Sequence, residues 1–116
     1  MLLAALPEDE FLHIARQLSY APFTPNTITS LEAYAKEVRL ARERGFAIDN
    51  REHEDDIYCL AVPIYDYSRK VMAAMSISGR GLFDNFEIDY IYEQMKKASI
   101  ELSKRMGYTE PVPRQA

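Results

Sequence analysis

One thiol and two hydroxyls, Cys59, Ser76 and Ser78, fall within "CLAVPIYDYSRKVMAAMSISG", residues 59–79. Two apolar runs flank the turn residues "YSRK", the pattern of a β-hairpin. With Tyr67 to Lys70 as the loop, Asp66 faces Val71 and the register of every other pair follows. One face then sets Leu60 opposite Ile77, Val62 opposite Met75 and Ile64 opposite Ala73, an aliphatic layer expected in the core. The other sets Cys59 opposite Ser78, Ala61 opposite Ser76 and Pro63 opposite Ala74. Small side chains at adjoining sites leave a hollow, and the thiol and hydroxyls place hydrogen-bonding groups on its floor. Such a hollow suits a small polar ligand. Asp49, at the end of the preceding strand, adds a carboxyl to the set. The combination fits a small oxo- or hydroxy-carboxylate, provided Asp49 meets a hydroxyl, a water or a proton and not the ligand's anionic end. Other uses of the same residues stay open. Ser76 and Ser78 also suit a solvent-facing strand end, Asp49 suits an Asx turn before Asn50, and a register slip of one would move Cys59 to the other face.

Two other chemistries use overlapping residues. Cys59 with His53 or His13 meets the minimum for thiol catalysis. No oxyanion-stabilising glycine motif adjoins the cysteine, however, and a buried cysteine behaves as a small hydrophobe. Asp49, Glu52, His53, Glu54, Asp55 and Asp56 are an oxygen-rich group of the kind hard cations favour, but their spacing matches neither an EF-hand loop nor a zinc helix. A solvated acidic turn is the better reading. Neither catalysis, a metal nor a cofactor is expected.

The elements that must position these groups follow from the pattern. Met1 to Leu6 read as the end of a helix. Pro7 suits a first helical position, and Glu8, Asp9 and Glu10 favour a helix start. That helix is expected to run to about Leu18, with Phe11, Ile14, Ala15 and Leu18 on one face. "APFTPNT" is a proline-marked loop. Thr29 and Glu32 have capping-box spacing before a helix striped by Leu31, Tyr34, Ala35, Val38 and Ala41, which stops at Gly45. Arg39, Arg42 and Arg44 are expected on its solvated face near its negative end. "GFAID" is a short strand, "NREHEDD" a connector, and Ile57 to Asp66 and Val71 to Gly79 are the hairpin strands. Asp84 and Glu87 repeat the capping-box spacing before a final helix carrying Ile88, Ile91, Met95, Ala98 and Leu102 as far as Gly107. Residues 1–108 form one domain and 109–116 a frayed tail. Helices around antiparallel strands make the class α+β.

Bulk properties narrow the function. The 116 residues, 47% hydrophobic and 28% charged, suffice for one core. A net charge of -4 argues against a nucleic-acid surface in this chain. A lone cysteine excludes an internal disulfide and suits a reducing cytoplasm. No apolar run reaches bilayer length, so no membrane partner is expected.

The run "RGFAIDNREHEDDIYCLAVPIYD" followed by "AAMSISG" resembles the C-terminal effector-binding domain of the isocitrate lyase regulator (IclR) family of bacterial transcription factors. The likeness lies in R-G-F-A-x-D-x-x-E-H, the cysteine before A-x-P-x-x-D, and S-x-S-G; a weaker one runs from "LLAALPEDE" to Gly107. It implies a GAF-like (profilin-like) antiparallel sheet flanked by helices and lacking its N-terminal strands. It also implies a homodimer or tetramer, a small carboxylate effector, and operator DNA met only through a winged helix-turn-helix domain absent from this chain. Position by position, it makes Asp49, Cys59, Ser76 and Ser78 the polar ligand contacts and Ile57 an apolar wall.

Overall fold

The computed structural model describes residues 1–18, 20–22, 24–52 and 56–109. Its opening residues form a single 3₁₀ turn, Leu2–Ala5. Helix α1, Glu8–Ala15, has Pro7 at its N-cap and three acids in its first turn. It ends short of Leu18 because the N–H groups of Gln17 and Leu18 bond back only three residues, to the carbonyls of Ile14 and Ala15. That tightens the last turn out of the helix. Phe11 and Ala15 are buried as the spacing predicts, whereas Ile14 and Leu18 stay exposed.

Helix α2 spans Leu31–Arg44 and buries Ala35, Val38 and Ala41. Its cap is Ser30 rather than Thr29: the Ser30 hydroxyl accepts from the Ala33 N–H at 3.2 Å. Two adjacent hydroxyl residues offer the same chemistry, and the second is the one in register with the first turn. Gly45 ends the helix at φ 87, left-handed backbone that glycine adopts without strain.

Strands β1 (Ala47–Asn50), β2 (Ile57–Tyr65) and β3 (Val71–Arg80) form an antiparallel sheet in the order β1-β2-β3. The hairpin pairs Cys59 with Ser78, Leu60 with Ile77, Ala61 with Ser76, Val62 with Met75, Pro63 with Ala74 and Ile64 with Ala73, as the loop choice predicts. At the loop the register shifts, so that Tyr65 and not Asp66 stands opposite Val71. Asp66 instead closes the turn, its N–H donating to the Lys70 carbonyl at 3.1 Å.

Helix α3 is a single turn, Leu82–Asn85, and α4 spans Ile88–Arg105. The expected Asp84–Glu87 capping box does not form. Asp84 lies within α3 and accepts from the Tyr58 hydroxyl at 3.1 Å, and Glu87 makes no side-chain cap bond. The Leu60, Val62 and Ile64 face is buried, but Ile77 stays 38% exposed. Phe46, Leu60, Val62 and Ile91 form a core with Ile48, Met75, Met95 and the α3 side chains Leu82 and Phe83, and Ile77 lies outside it.

The buried stripe of α4 also departs from the apolar one. Ala98 and Leu102 are exposed, while Ser99 and Ser103 are buried. The Ser99 hydroxyl donates to the Pro63 carbonyl at 2.6 Å, and the Tyr65 N–H donates to Ser103 Oγ at 3.0 Å. These two β2 groups flank the register shift, and the helix hydroxyls serve them there. Removing the Ser99 hydroxyl leaves a buried carbonyl without its partner. Ser99→Ala is therefore expected to cost about 1–3 kcal/mol in urea unfolding, against less than about 1 kcal/mol for Leu102→Ala.

A second core gathers Ala4, Phe11, Ala15, Ala35, Val38 and Ala41, with Ala47 of the sheet packed against it. The result is an α+β arrangement: α3 and α4 cover one face of the sheet, while α1, α2 and the 3₁₀ turn flank the other. Among the described residues no helix is long and apolar enough to cross a membrane. Residues 110–116, most of the expected tail, lie outside the described residues.

Candidate functional site

Cross-strand pairing places the chemistry-bearing groups in rows. Asp49, Cys59 and Ser78 stand opposite one another across the three strands, and Ala47, Ala61 and Ser76 make the neighbouring row. Both rows share one sheet face, because alternate residues of a strand point the same way. Above part of that face lies a cavity of about 460 Å³, lined on the sheet side by Asp49, Cys59, Ala61 and Ser76. Its size is that of a small-molecule site. It exists because Ala61 and Ala74 put only short side chains on that face.

The opposite wall comes from Tyr34, Glu37 and Val38 of α2 and from the 3₁₀ turn. That turn is fixed by Arg42, which donates through Nε to the Ala4 carbonyl at 2.8 Å and through a terminal nitrogen to the Leu6 carbonyl at 3.3 Å. Arg39 and Arg42 both grip Glu8. Hydrogen bonds from Arg39 and then Arg42 hold the Glu8 carboxyl below its usual range. Arg44 pairs with Glu37 at 3.0 Å. The three arginines expected on a solvated face thus tie the molecule together.

Asp49, Cys59 and Ser76 share the cavity, whereas Ser78 and Ile57 are not among its lining residues. Ser78 is exposed, one row further along β3, and Ile57 is half-buried opposite Arg80. Asp49 also makes a turn contact, its Oδ1 accepting from the Glu52 N–H at 2.9 Å. The Asx-like use and the cavity-lining position coexist. His13 is exposed on α1, 3.2 Å from Gln17, and is not a lining residue. His53, Glu54 and Asp55 lie outside the described residues. Among the described residues no three His, Cys, Asp or Glu side chains gather as a metal site.

Two acids on the wall escaped the sequence reading. Glu52, taken as part of a solvated connector, lines the cavity together with Glu37. Its Oε2 accepts from the Asn50 N–H at 2.8 Å, reciprocating the Asp49 bond. The D-x-x-E spacing was the available signal, a capping-box pattern where no helix follows. Burial pushes the Glu52 carboxyl up, the Asn50 N–H opposes this, and the charges of Asp49 and Glu37 add to the rise. Burial likewise raises Tyr34, helped by Tyr20 and Glu52.

Comparison with known proteins identifies this arrangement. A family model for the bacterial transcriptional regulator IclR C-terminal region matches residues 1–104. The HTH-type transcriptional regulator XynR of Escherichia coli K12 is 35% identical over 109 residues, 93% of this chain and 43% of that protein. Among solved structures, the C-terminal domain of E. coli KdgR superposes with a TM-score of 0.80 at 35% identity, covering 92% of this chain and 66% of that one. Thermotoga maritima IclR gives a TM-score of 0.76 at 37% identity, over 91% of this chain and 43% of that one. The chain spans about two fifths of the length of the curated relatives XynR and KdgR. These relatives are regulators and the family is not a catalytic one. With residues 1–104 matched by a single family model and the helix-flanked antiparallel sheet shared with KdgR, the chain belongs to the IclR C-terminal family of bacterial transcriptional regulators.

Proposed function

We propose that residues 1–108 are the effector-sensing and subunit-pairing part of an IclR-type regulator, and that the cavity receives a small oxo- or hydroxy-carboxylate. The observation that carries this is the floor itself. Asp49, Cys59 and Ser76 share one recess, walled by short alanines and roofed by α2 and the 3₁₀ turn. Ser78 continues the polar row beyond the rim, and Ile57 supplies an apolar flank on the same face. Operator DNA is met by a helix-turn-helix part of the kind named in the longer relatives, not by this acidic chain. Such a regulator works in the cytoplasm as a homodimer or tetramer. The ligand switches it by favouring one subunit arrangement over another, so differential affinity sets the response.

The test is a thermal-shift and calorimetric series with pyruvate and lactate. A ligand at about 100 times its Kd stabilises by about 2.7 kcal/mol, an upward shift in Tm of several degrees. Ser76→Ala is expected to weaken binding about tenfold, from loss of a hydrogen bond to a charged group at about 1.5 kcal/mol. The same loss is expected for Ser78→Ala, and an unchanged Kd would remove that serine from the site. A second reading, a pairing module with a vestigial pocket, is favoured by the outer edge of β3, which has no strand beside it among the described residues and carries exposed Met72 and Ile77. A stable dimer whose Tm no acid alters would decide for it.

A further inference from the structure

The side chains lining the cavity carry a charge problem for an anionic ligand. Three carboxyls, Glu37, Asp49 and Glu52, line it, and among the described residues no Lys, Arg or His side chain does. Glu37 is neutralised by Arg44 at 3.0 Å. Among the described residues Asp49 and Glu52 have no such cation: the backbone N–H groups of Glu52 and Asn50 donate to them, and the two carboxyls lie close enough to interact with each other. An incoming carboxylate would add another negative charge beside this pair, and like charges in a partly desolvated site cannot all stay ionised.

We propose that Glu52 carries the proton that lets this cavity accept an anionic ligand, so that effector binding takes up about one proton from solvent. The inference rests on the carboxylate-sensor reading above and adds the protonation state in which the ligand is held. In the complex the protonated Glu52 oxygen donates a hydrogen bond to the ligand carboxylate, and Oε2 keeps the Asn50 N–H as its donor.

The described neighbours of Glu52 support this assignment. From β1 comes the Asp49 carboxylate, and from α2 come Glu37, with its Arg44 partner, and the Tyr34 hydroxyl, all of which favour a neutral Glu52 or leave it so. Cys59 of β2 is on the same wall. The Glu52 carbonyl is held by the Thr27 hydroxyl and that of Arg51 by Thr24 at 2.5 Å, which fixes the backbone under the carboxyl. Burial already raises Glu52 in the free protein. The sign follows: a ligand anion raises it further, so binding is favoured as pH falls through the interval between the free and the bound values.

The experiment measures the Kd of pyruvate between pH 5.5 and 7.5 for the unaltered chain and for Glu52→Gln, with far-UV circular dichroism to check the fold. Over that interval the Kd of the unaltered chain is expected to rise by up to about tenfold per pH unit. Glu52→Gln, a permanent mimic of the protonated form, should bind with a flat profile and more tightly than the parent at pH 7.5. A merely structural role for Glu52 would instead weaken binding at every pH. Titration of the parent in two buffers of different ionisation heat counts the proton without any variant, and about one should be taken up at neutral pH. Pyruvate binding with no pH slope and no proton uptake overturns this inference and leaves the carboxylate reading standing. A slope that persists in Glu52→Gln moves the proton elsewhere and overturns it as well. No binding of pyruvate or lactate at any pH overturns both.

Discussion

Ala61→Phe is expected to abolish carboxylate binding while leaving the fold intact. Ala61 stands at the centre of the row Ala47, Ala61, Ser76, and its side chain lines the floor of the 460 Å³ cavity. A ring on that Cβ enters space that no protein atom occupies, so the overpacking penalty of a filled core, about 1–3 kcal/mol, does not arise. Phenylalanine suits a strand, and filling a cavity commonly stabilises by about 0.5–2 kcal/mol. The Tm should hold steady or rise. The ligand loses both its volume and its approach to Cys59 and Ser76, so the Kd for pyruvate should weaken by at least about 100-fold, equivalent to about 2.7 kcal/mol. Unaltered affinity in a folded Ala61→Phe chain would place the ligand elsewhere.

The largest stability loss is expected at Phe11→Ala. Phe11 is fully buried between α1 and α2, and the guanidinium groups of Arg39 and Arg42 each lie 5.9 Å from its ring centroid. Truncating a buried phenylalanine costs about 3–5 kcal/mol through lost transfer energy and the cavity left behind. The two cation–π contacts go with the ring. Against a total stability of about 5–15 kcal/mol this is a large share. A drop in Tm of about 15 °C is expected in a thermal scan. A drop below about 5 °C would mean that α1 contributes little to the fold.

Most of the hairpin register was legible in the sequence, whereas the shift between Ile64 and Tyr65, which sets Tyr65 and not Asp66 opposite Val71, was not. Once Tyr67 to Lys70 are taken as the hairpin loop, the pairs from Cys59–Ser78 to Ile64–Ala73 follow without further choice, and they are the pairs observed. Helix boundaries were less legible. Thr29 and Ser30 offer the same hydroxyl one residue apart, and Asp84 and Glu87 show capping spacing, yet Asp84 serves Tyr58. In α4 an apolar periodicity pointed to Ala98 and Leu102. The buried positions are instead serines, whose partners are β2 backbone groups remote in sequence. For the cavity, the small-residue face and its thiol and hydroxyl were visible in the hairpin. The Glu37 and Glu52 wall was not, because it depends on how α2 and the β1–β2 connector are placed over that face.

Arg42 holds the wall of the cavity by main-chain oxygens, those of Ala4 and Leu6. A peptide oxygen is the same whatever side chain the residue bears. Leu2, which lines the cavity and is 55% exposed, can therefore change in bulk or polarity without loosening the anchor. Ligand preference and mechanical attachment are carried by different atoms of one short segment, so selectivity at this wall can be altered by substitution while the scaffold stays put.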